Sequence, residues 1–328
     1  MTRAEIVKKL VHIEERSIRP QGKAFAPANI ALCKYWGKRD KELNLPITSS
    51  LSVSLGALGT ETVLSLTEEQ DIITLNGQRV DGAGSFARRL TEFLDLFRLP
   101  GRFFQVETIN TIPTGAGLAS SASGFAALVC ALRELLQLNI DSKSLSILAR
   151  LGSGSACRSL YNGFVEWRAG ELTDGMDSYA EPLPDSWPEM RLGVVMLTEK
   201  EKPHSSRDAM NRTTETSLLY KQWPGKVEKD LLALKTAIRE KDFALLGKTA
   251  ESNALAMHAT MLDAWPPVLY WLPETIAIFK HVWELREQNV EVYFTIDAGP
   301  NVKLLFLQSE IKRIEKVFKN VYIIAPFG

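Results

Sequence analysis

Cysteine is scarce in this chain. Three occur in 328 residues, Cys33, Cys130 and Cys157, widely spaced and with no CxxC pair. An odd, scattered set excludes a disulfide framework and a cysteine zinc site, and it suits a reducing cytoplasm. An excess of charge of one sign is also lacking: 39 Lys plus Arg balance 39 Asp plus Glu. No global basic field draws the protein to nucleic acid or to an anionic membrane, so an anionic ligand must be met by a local cluster of cations. The histidines, His12, His204, His258 and His281, lack metal-ligand spacing and assign no metal site. No apolar run reaches the roughly 18 residues of a membrane span. The N-terminal MTRAEIVKKLVHIEERS is charged and has no secretory signal core. Internal repeats and low-complexity tracts are absent.

What is present is ordinary globular composition, 45% hydrophobic and 24% charged. The length exceeds what one core usually serves, so two domains are expected. The three prolines of EPLPDSWPEM at 181–190 suit a linker, which divides the chain into 1–188 and 189–328.

The first third reads as β-rich. Residues 23–36 form an apolar strand ending in a loop, and 61–67 and 71–76 alternate. Asn76-Gly77 gives a hairpin signal, and 102–108 reads as a further strand. The small-residue loop 111–119 opens a helix over 120–137, with Phe125, Leu128, Val129, Leu132, Leu135 and Leu136 on one face. Asp141 or Ser142 caps a second helix that ends at Gly152, and 160–168 returns to strand. Beyond the linker, 191–197 reads as strand and 227–240 and 274–287 as helices. VEVYFTI at 290–296 alternates, which puts Val290, Val292, Phe294 and Ile296 on one face. Such a mixture predicts a second α+β layer.

Five stretches could carry chemistry. Pro113-Thr-Gly-Ala-Gly-Leu-Ala-Ser-Ser121 offers close backbone approach, two hydroxyls and a helix N-terminus, which suit a polyphosphate; it is not a Walker A loop, and a tight turn beneath a helix start explains it equally. Gly152-Ser-Gly-Ser-Ala-Cys-Arg-Ser159 offers hydroxyls and Arg158, whose fork can grip a carboxylate; a helix-ending glycine and a solvated arginine is the plainer reading. Lys34-Tyr-Trp-Gly-Lys38 could bind a phosphorylated tail or be a charged loop. Asp297, at a strand end before Gly299-Pro300, is a candidate base or a turn cap. His204-Ser-Ser-Arg207 reads as a polar loop that could complete an anion site.

In combination these segments resemble a known family. PTGAGLASSA at 113–122 is similar to the phosphate-binding motif of GHMP kinases. The run Ala26-Pro-Ala-Asn-Ile-Ala-Leu-Cys-Lys-Tyr-Trp-Gly-Lys-Arg-Asp40 resembles the N-terminal signature of mevalonate diphosphate decarboxylases. GSGSACRS, SSR at 205–207, MHAT at 257–260 and FTIDAGPN at 294–301 are similar to further segments of that family, in the same order. The phosphate loop departs slightly, with Gly115 where relatives often carry alanine.

The resemblance implies an α+β, two-domain GHMP kinase fold. A ribosomal-protein-like N-terminal α/β domain is followed by a ferredoxin-like α+β domain, with the active site in the cleft between them. It implies ATP-dependent phosphorylation and decarboxylation of mevalonate diphosphate to isopentenyl diphosphate, with ATP and magnesium, in a cytoplasmic homodimer. Residue by residue, it implies a catalytic set of Asp297, Lys34, Arg158, Asn29 and Ser120. Tyr35, Lys38, Ser153, Ser155, Arg158, Ser206 and Arg207 would hold the substrate, and Gly115, Gly117, Ala119, Ser120 and Ser121 the ATP phosphates. A mevalonate 3-kinase would lack the aspartate–lysine pair. A decarboxylase of the monophosphate stays open, although Tyr35, Lys38 and Arg207 suit the diphosphate. A silent ligand-binding relative would show damage to the catalytic group or the phosphate loop.

Overall fold

The computed structural model of the protein describes residues 1–14, 17–82, 84–111, 120–198 and 204–327. Its first part comprises α1 (Arg3–Leu10), β1 (Gln21–Cys33), β2 (Lys38–Asp40), β3 (Leu45–Pro46), β4 (Ser50–Thr67), β5 (Ile72–Leu75), β6 (Gln78–Arg79), α2 (Ser85–Leu94), β7 (Phe103–Asn110), α3 (Ser120–Leu135), α4 (Ser142–Gly152), β8 (Phe164–Trp167) and β9 (Ala180–Pro182). The second comprises β10 (Met190–Val195), α5 (Ser206–Thr216), α6 (Trp223–Glu240), α7 (Phe243–Leu262), α8 (Pro273–Glu287), β11 (Val292–Ile296), β12 (Val302–Leu307), α9 (Ile311–Val317) and β13 (Val321–Ile324).

The spine of the first part is β4. One edge pairs antiparallel with β1, and the other is shared between β8 at its start and β7 at its end. The β1–β4 register shifts between Pro27 and Asn29 and again between Ala31 and Cys33. Such irregularities re-aim side chains, and here they lie at Asn29 and just before Lys34. The apolar face expected of 120–137 is buried at all six positions, and it covers β1 and β4. Asp141 caps α4 by accepting from the Ser144 amide at 2.8 Å.

The second sheet runs β11-β12-β10-β13, antiparallel throughout. Counted from β10, that is the 4-1-3-2 order of a ferredoxin-like βαββαβ unit read from its other edge. α8 covers one face, with Phe279 stacked on Phe294 at 4.1 Å.

Several expected boundaries change. The hairpin signalled by Asn76-Gly77 forms, with Asn76 and Gly77 (φ 50° and 78°) joining β5 to β6, but the strand of 71–76 spans only Ile72–Leu75 and runs parallel to β7. Within 160–168 the strand starts only at Phe164, because Gly154–Leu160 is a 3-10 helix. Val292 to Ile296 are buried without alternation, since Phe243 packs on Tyr293 and Thr295 donates to the Ala31 carbonyl of the first part at 3.4 Å. The polar loop read at 204–207 is in fact a helix start, with Ser205 capping α5 through the Asp208 amide at 3.1 Å.

Candidate active site

A cleft of about 570 Å3 opens where the residues after β1, the 3-10 turn, the start of α5 and the residues after β11 converge. Eleven of the residues singled out in the sequence line it together: Asn29, Lys34, Tyr35, Lys38, Ser121, Ser153, Ser155, Arg158, Ser206, Arg207 and Asp297. Gly115, Gly117 and Ala119 lie outside the described residues, and of Ser120 only the backbone, the first residue of α3, is described.

Two strand ends meet at the base. Lys34 follows the last residue of β1 and Asp297 the last residue of β11. Lys34 Nζ donates to Asp297 Oδ1 at 2.8 Å and to the Ala31 carbonyl at 2.8 Å. Lys303, on β12, approaches Asp297 Oδ2 at 3.4 Å. Both lysines are almost fully buried, at 2% and 1% exposed, whereas the Asp297 side chain is 33% exposed toward the cleft. Burial pushes the Lys34 ammonium below its usual pKa, and the Asp297 charge opposes that shift. A buried lysine without a counter-charge would cost several kcal/mol, and the Asp297 carboxylate offsets part of that cost for both lysines. Two cations on one anion leave the base of the cleft positive.

Arg158 projects from the 3-10 turn and is buried, not solvated, at 3% exposed. Its Nη1 donates to Ser50 Oγ at 2.5 Å, and Nε and Nη2 each lie 3.4 Å from Asn29 Oδ1. Asn29 in turn donates to Ser159 Oγ at 2.7 Å. The guanidinium also sits 5.9 Å from the Trp167 ring centroid. It is thus held on several sides, with hydrogens left on both terminal nitrogens. The Gly154 position explains the small residues of this turn: a Cβ there would lie 2.9 Å from Trp167 and 3.1 Å from the Tyr35 hydroxyl. That hydroxyl is buried without a hydrogen-bond partner among the described residues, and a buried orphan donor calls for a ligand or water.

The other end of the cleft is cationic. Lys38 donates to Asn44 Oδ1 at 2.6 Å. Burial first, then the charges of Arg207, Arg89 and Lys41, bring its pKa down to about 8. Arg89, on α2, is likewise lowered by burial and by Arg207. Neither Arg89 nor Lys303 was singled out in the sequence. The signal for Lys303 was a lysine inside the apolar run VKLLFL, since a lysine is rarely buried without a carboxylate. For Arg89 it was the periodicity of Leu90, Phe93 and Leu94, which marks a helix in SFARRLTEFL.

The donors offered are cations and hydroxyls, a set for phosphates. Among the described residues no three or more His, Cys, Asp or Glu side chains converge as a metal cage. A magnesium ion would therefore be held chiefly by phosphate oxygens of a ligand. Among the described residues no helix is long and apolar enough to cross a membrane.

The diphosphomevalonate decarboxylase-like N-terminal domain matches residues 26–180, and the mevalonate 5-diphosphate decarboxylase C-terminal domain matches residues 193–326. The diphosphomevalonate decarboxylase of Candida albicans is 39% identical, over 86% of this chain and 83% of its own. The crystal structure of mevalonate diphosphate decarboxylase from Staphylococcus aureus superposes with a TM-score of 0.87 at 38% identity, covering 93% of this chain and 95% of that one. The solved structure of MDDEF in complex with MVAPP, AMPPCP and magnesium is 41% identical, with a TM-score of 0.87 over 94% of this chain and 97% of its own.

Proposed function

The chain belongs to the diphosphomevalonate decarboxylase family, whose two domains it matches in order, and on that premise we propose the chemistry its cleft performs. It is an ATP-dependent decarboxylase that converts mevalonate diphosphate to isopentenyl diphosphate, ADP, phosphate and carbon dioxide, within isoprenoid biosynthesis by the mevalonate pathway. The observation that carries the catalytic reading is a partly exposed carboxylate, Asp297, held between two buried ammonium groups at the base of a cleft whose far end is cationic.

Asp297 accepts the proton of the tertiary 3-hydroxyl as its oxygen attacks the terminal phosphorus of ATP. Lys34 and Lys303 keep the carboxylate ionised beforehand and offset negative charge that gathers at the transferring group. Phosphate leaves with the C–O electron pair far more readily than hydroxide would. Arg158, fixed by Ser50 and Asn29, grips the substrate carboxylate. Carbon dioxide departs from there, and its C–C electron pair becomes the new double bond. Positioning and charge balance supply most of the catalysis.

Tyr35, Lys38, Arg89, Ser153, Ser155, Ser206 and Arg207 surround the substrate diphosphate, and the buried Tyr35 hydroxyl gains a partner there. Ser121 and the amide end of α3 face the ATP phosphates, with Ser120, Gly115, Gly117 and Ala119 assigned to the same task. Magnesium supplies charge neutralisation on those phosphates. Homodimeric assembly, a cytoplasmic location and a domain division at residue 188 complete the reading; sedimentation of the purified protein checks the first.

The test is to supply magnesium-ATP with mevalonate diphosphate and to follow ADP and carbon dioxide together. Equal yields are expected. ADP without carbon dioxide would make the protein a 3-kinase. Turnover only of the monophosphate would reassign the cationic end of the cleft.

A further inference from the structure

The Lys34–Asp297 contact joins residues from the two parts of the chain, so some element must fix their spacing. α7 is buried over most of its circumference, wedged between layers, with one exposed stripe at Lys248, Ser252, Ala259 and Leu262. Two of its polar side chains, Asn253 and His258, are 0% and 2% exposed. They lie five residues apart, about 140° around the helix axis, and so face different layers.

On one flank, Asn253 Oδ1 accepts from the Lys34 backbone N–H at 2.8 Å. Its Nδ2 donates to Asp230 Oδ2 at 2.8 Å. Asp230 is paired with Lys226 at 2.9 Å. Only one orientation of the amide satisfies both an N–H and a carboxylate, so Asn253 is locked. On the other flank, His258 Nε2 lies 3.1 Å from the Asp297 carbonyl oxygen. A carbonyl can only accept, so Nε2 carries the proton and donates. The Gly299 N–H donates to the same oxygen at 2.7 Å. Trp271 lies against the imidazole at 4.9 Å. Burial pushes the His258 pKa down to about 3, so the ring stays a neutral, fixed donor at working pH. About two turns before His258 the same helix holds β11 again, through Glu251, which accepts from the Phe294 N–H at 3.2 Å.

We propose that α7 is the clamp that sets the Lys34–Asp297 geometry, with Asn253 and His258 as positioning residues for the two members of the pair. The inference rests on the reading of that pair as catalytic. Neither residue reaches the substrate; each acts through a backbone group of the residue that does.

The experiment measures kcat, both KM values and thermal stability for His258→Gln, His258→Asn, Asn253→Leu and the His258→Asn/Asn253→Leu double variant, with Asp297→Asn in parallel. A misplacement of about 1 Å costs on the order of 10²-fold, and that is the expected fall in kcat for His258→Asn, with both KM values within about threefold. His258→Gln, whose amide nitrogen reaches the place of Nε2, should recover most of kcat. The double variant should lose less than the product of the single losses, because both grips serve one distance. Equal kcat for the Gln and Asn variants, or a loss of stability with kcat per folded molecule unchanged, would overturn the clamp. If Asp297→Asn is inactive while both His258 variants turn over normally, the clamp alone fails. If Asp297→Asn turns over normally, the catalytic reading itself fails.

Discussion

Lys38 carries its ammonium among Arg89, Arg207 and Lys41, with its pKa brought down to about 8 from the usual 10.5. In the free protein it therefore loses its charge between about pH 7 and 9, and with it part of the attraction for a diphosphate. The KM for mevalonate diphosphate should rise as pH passes 8, and Lys38→Arg, which stays protonated, should flatten that rise. An identical alkaline limb in the variant would remove Lys38 from the diphosphate. The folded-state pKa lies below the unfolded one, so the unfolded chain binds more protons between about pH 8 and 10.5. The Lys38 contribution to stability accordingly rises with pH across that window. At this scale the sequence was readable wherever a functional side chain sits just past a strand end in a distinctive run, as Lys34 and Asp297 do. For Lys303 it gave no more than a lysine inside an apolar run; its place beside Asp297 emerges when β12 is laid beside β11 and Thr295 falls opposite it.

Elements differ in how openly they announce themselves. α3 meets the sheet on one face and the 3-10 turn and α4 on another, so its burial extends beyond the six apolar positions that were legible over 120–137. α7 is covered on both flanks and buries polar Glu251, Asn253 and His258 among its apolar residues, so its apolar period is blurred, although MHAT within it was noticed as a motif. VYFTI lost its alternation for the same reason. The 3-10 turn after α4 was legible only as a small-residue run; its shape depends on Tyr35 and Trp167, 4.7 Å apart edge-to-face and pressed against Gly154. Gly154→Ala should force those rings aside at about 1–3 kcal/mol of stability. The KM for mevalonate diphosphate should rise and that for ATP should hold, as steady-state kinetics with each substrate varied would report. An unchanged KM for the acid substrate would show that the turn does not shape its pocket.

The whole molecule is less divided than a two-domain reading suggests. A single buried cluster joins Ile30, Leu32 and Val53 of the first part to Trp223, Leu234 and Met257 of the second. The Tyr220 hydroxyl donates to the Trp36 carbonyl at 2.9 Å, and Lys235 pairs with Glu166 at 2.6 Å. Composition and length indicated two layers of structure, but a shared core rests on side chains far apart in sequence, which no local pattern encodes. The cleft exists because of that joint: Lys34 arrives from one part and Asp297 from the other, and the proposed chemistry uses both. Single-turnover measurement of ADP and carbon dioxide together in Asp297→Asn, with binding of mevalonate diphosphate and ATP measured alongside, tests this most directly. Loss of a positioned general base predicts both products slowed together by about 10²- to 10⁴-fold, with both ligands still bound. Normal rates, or ADP formed at the normal rate without carbon dioxide, would contradict it.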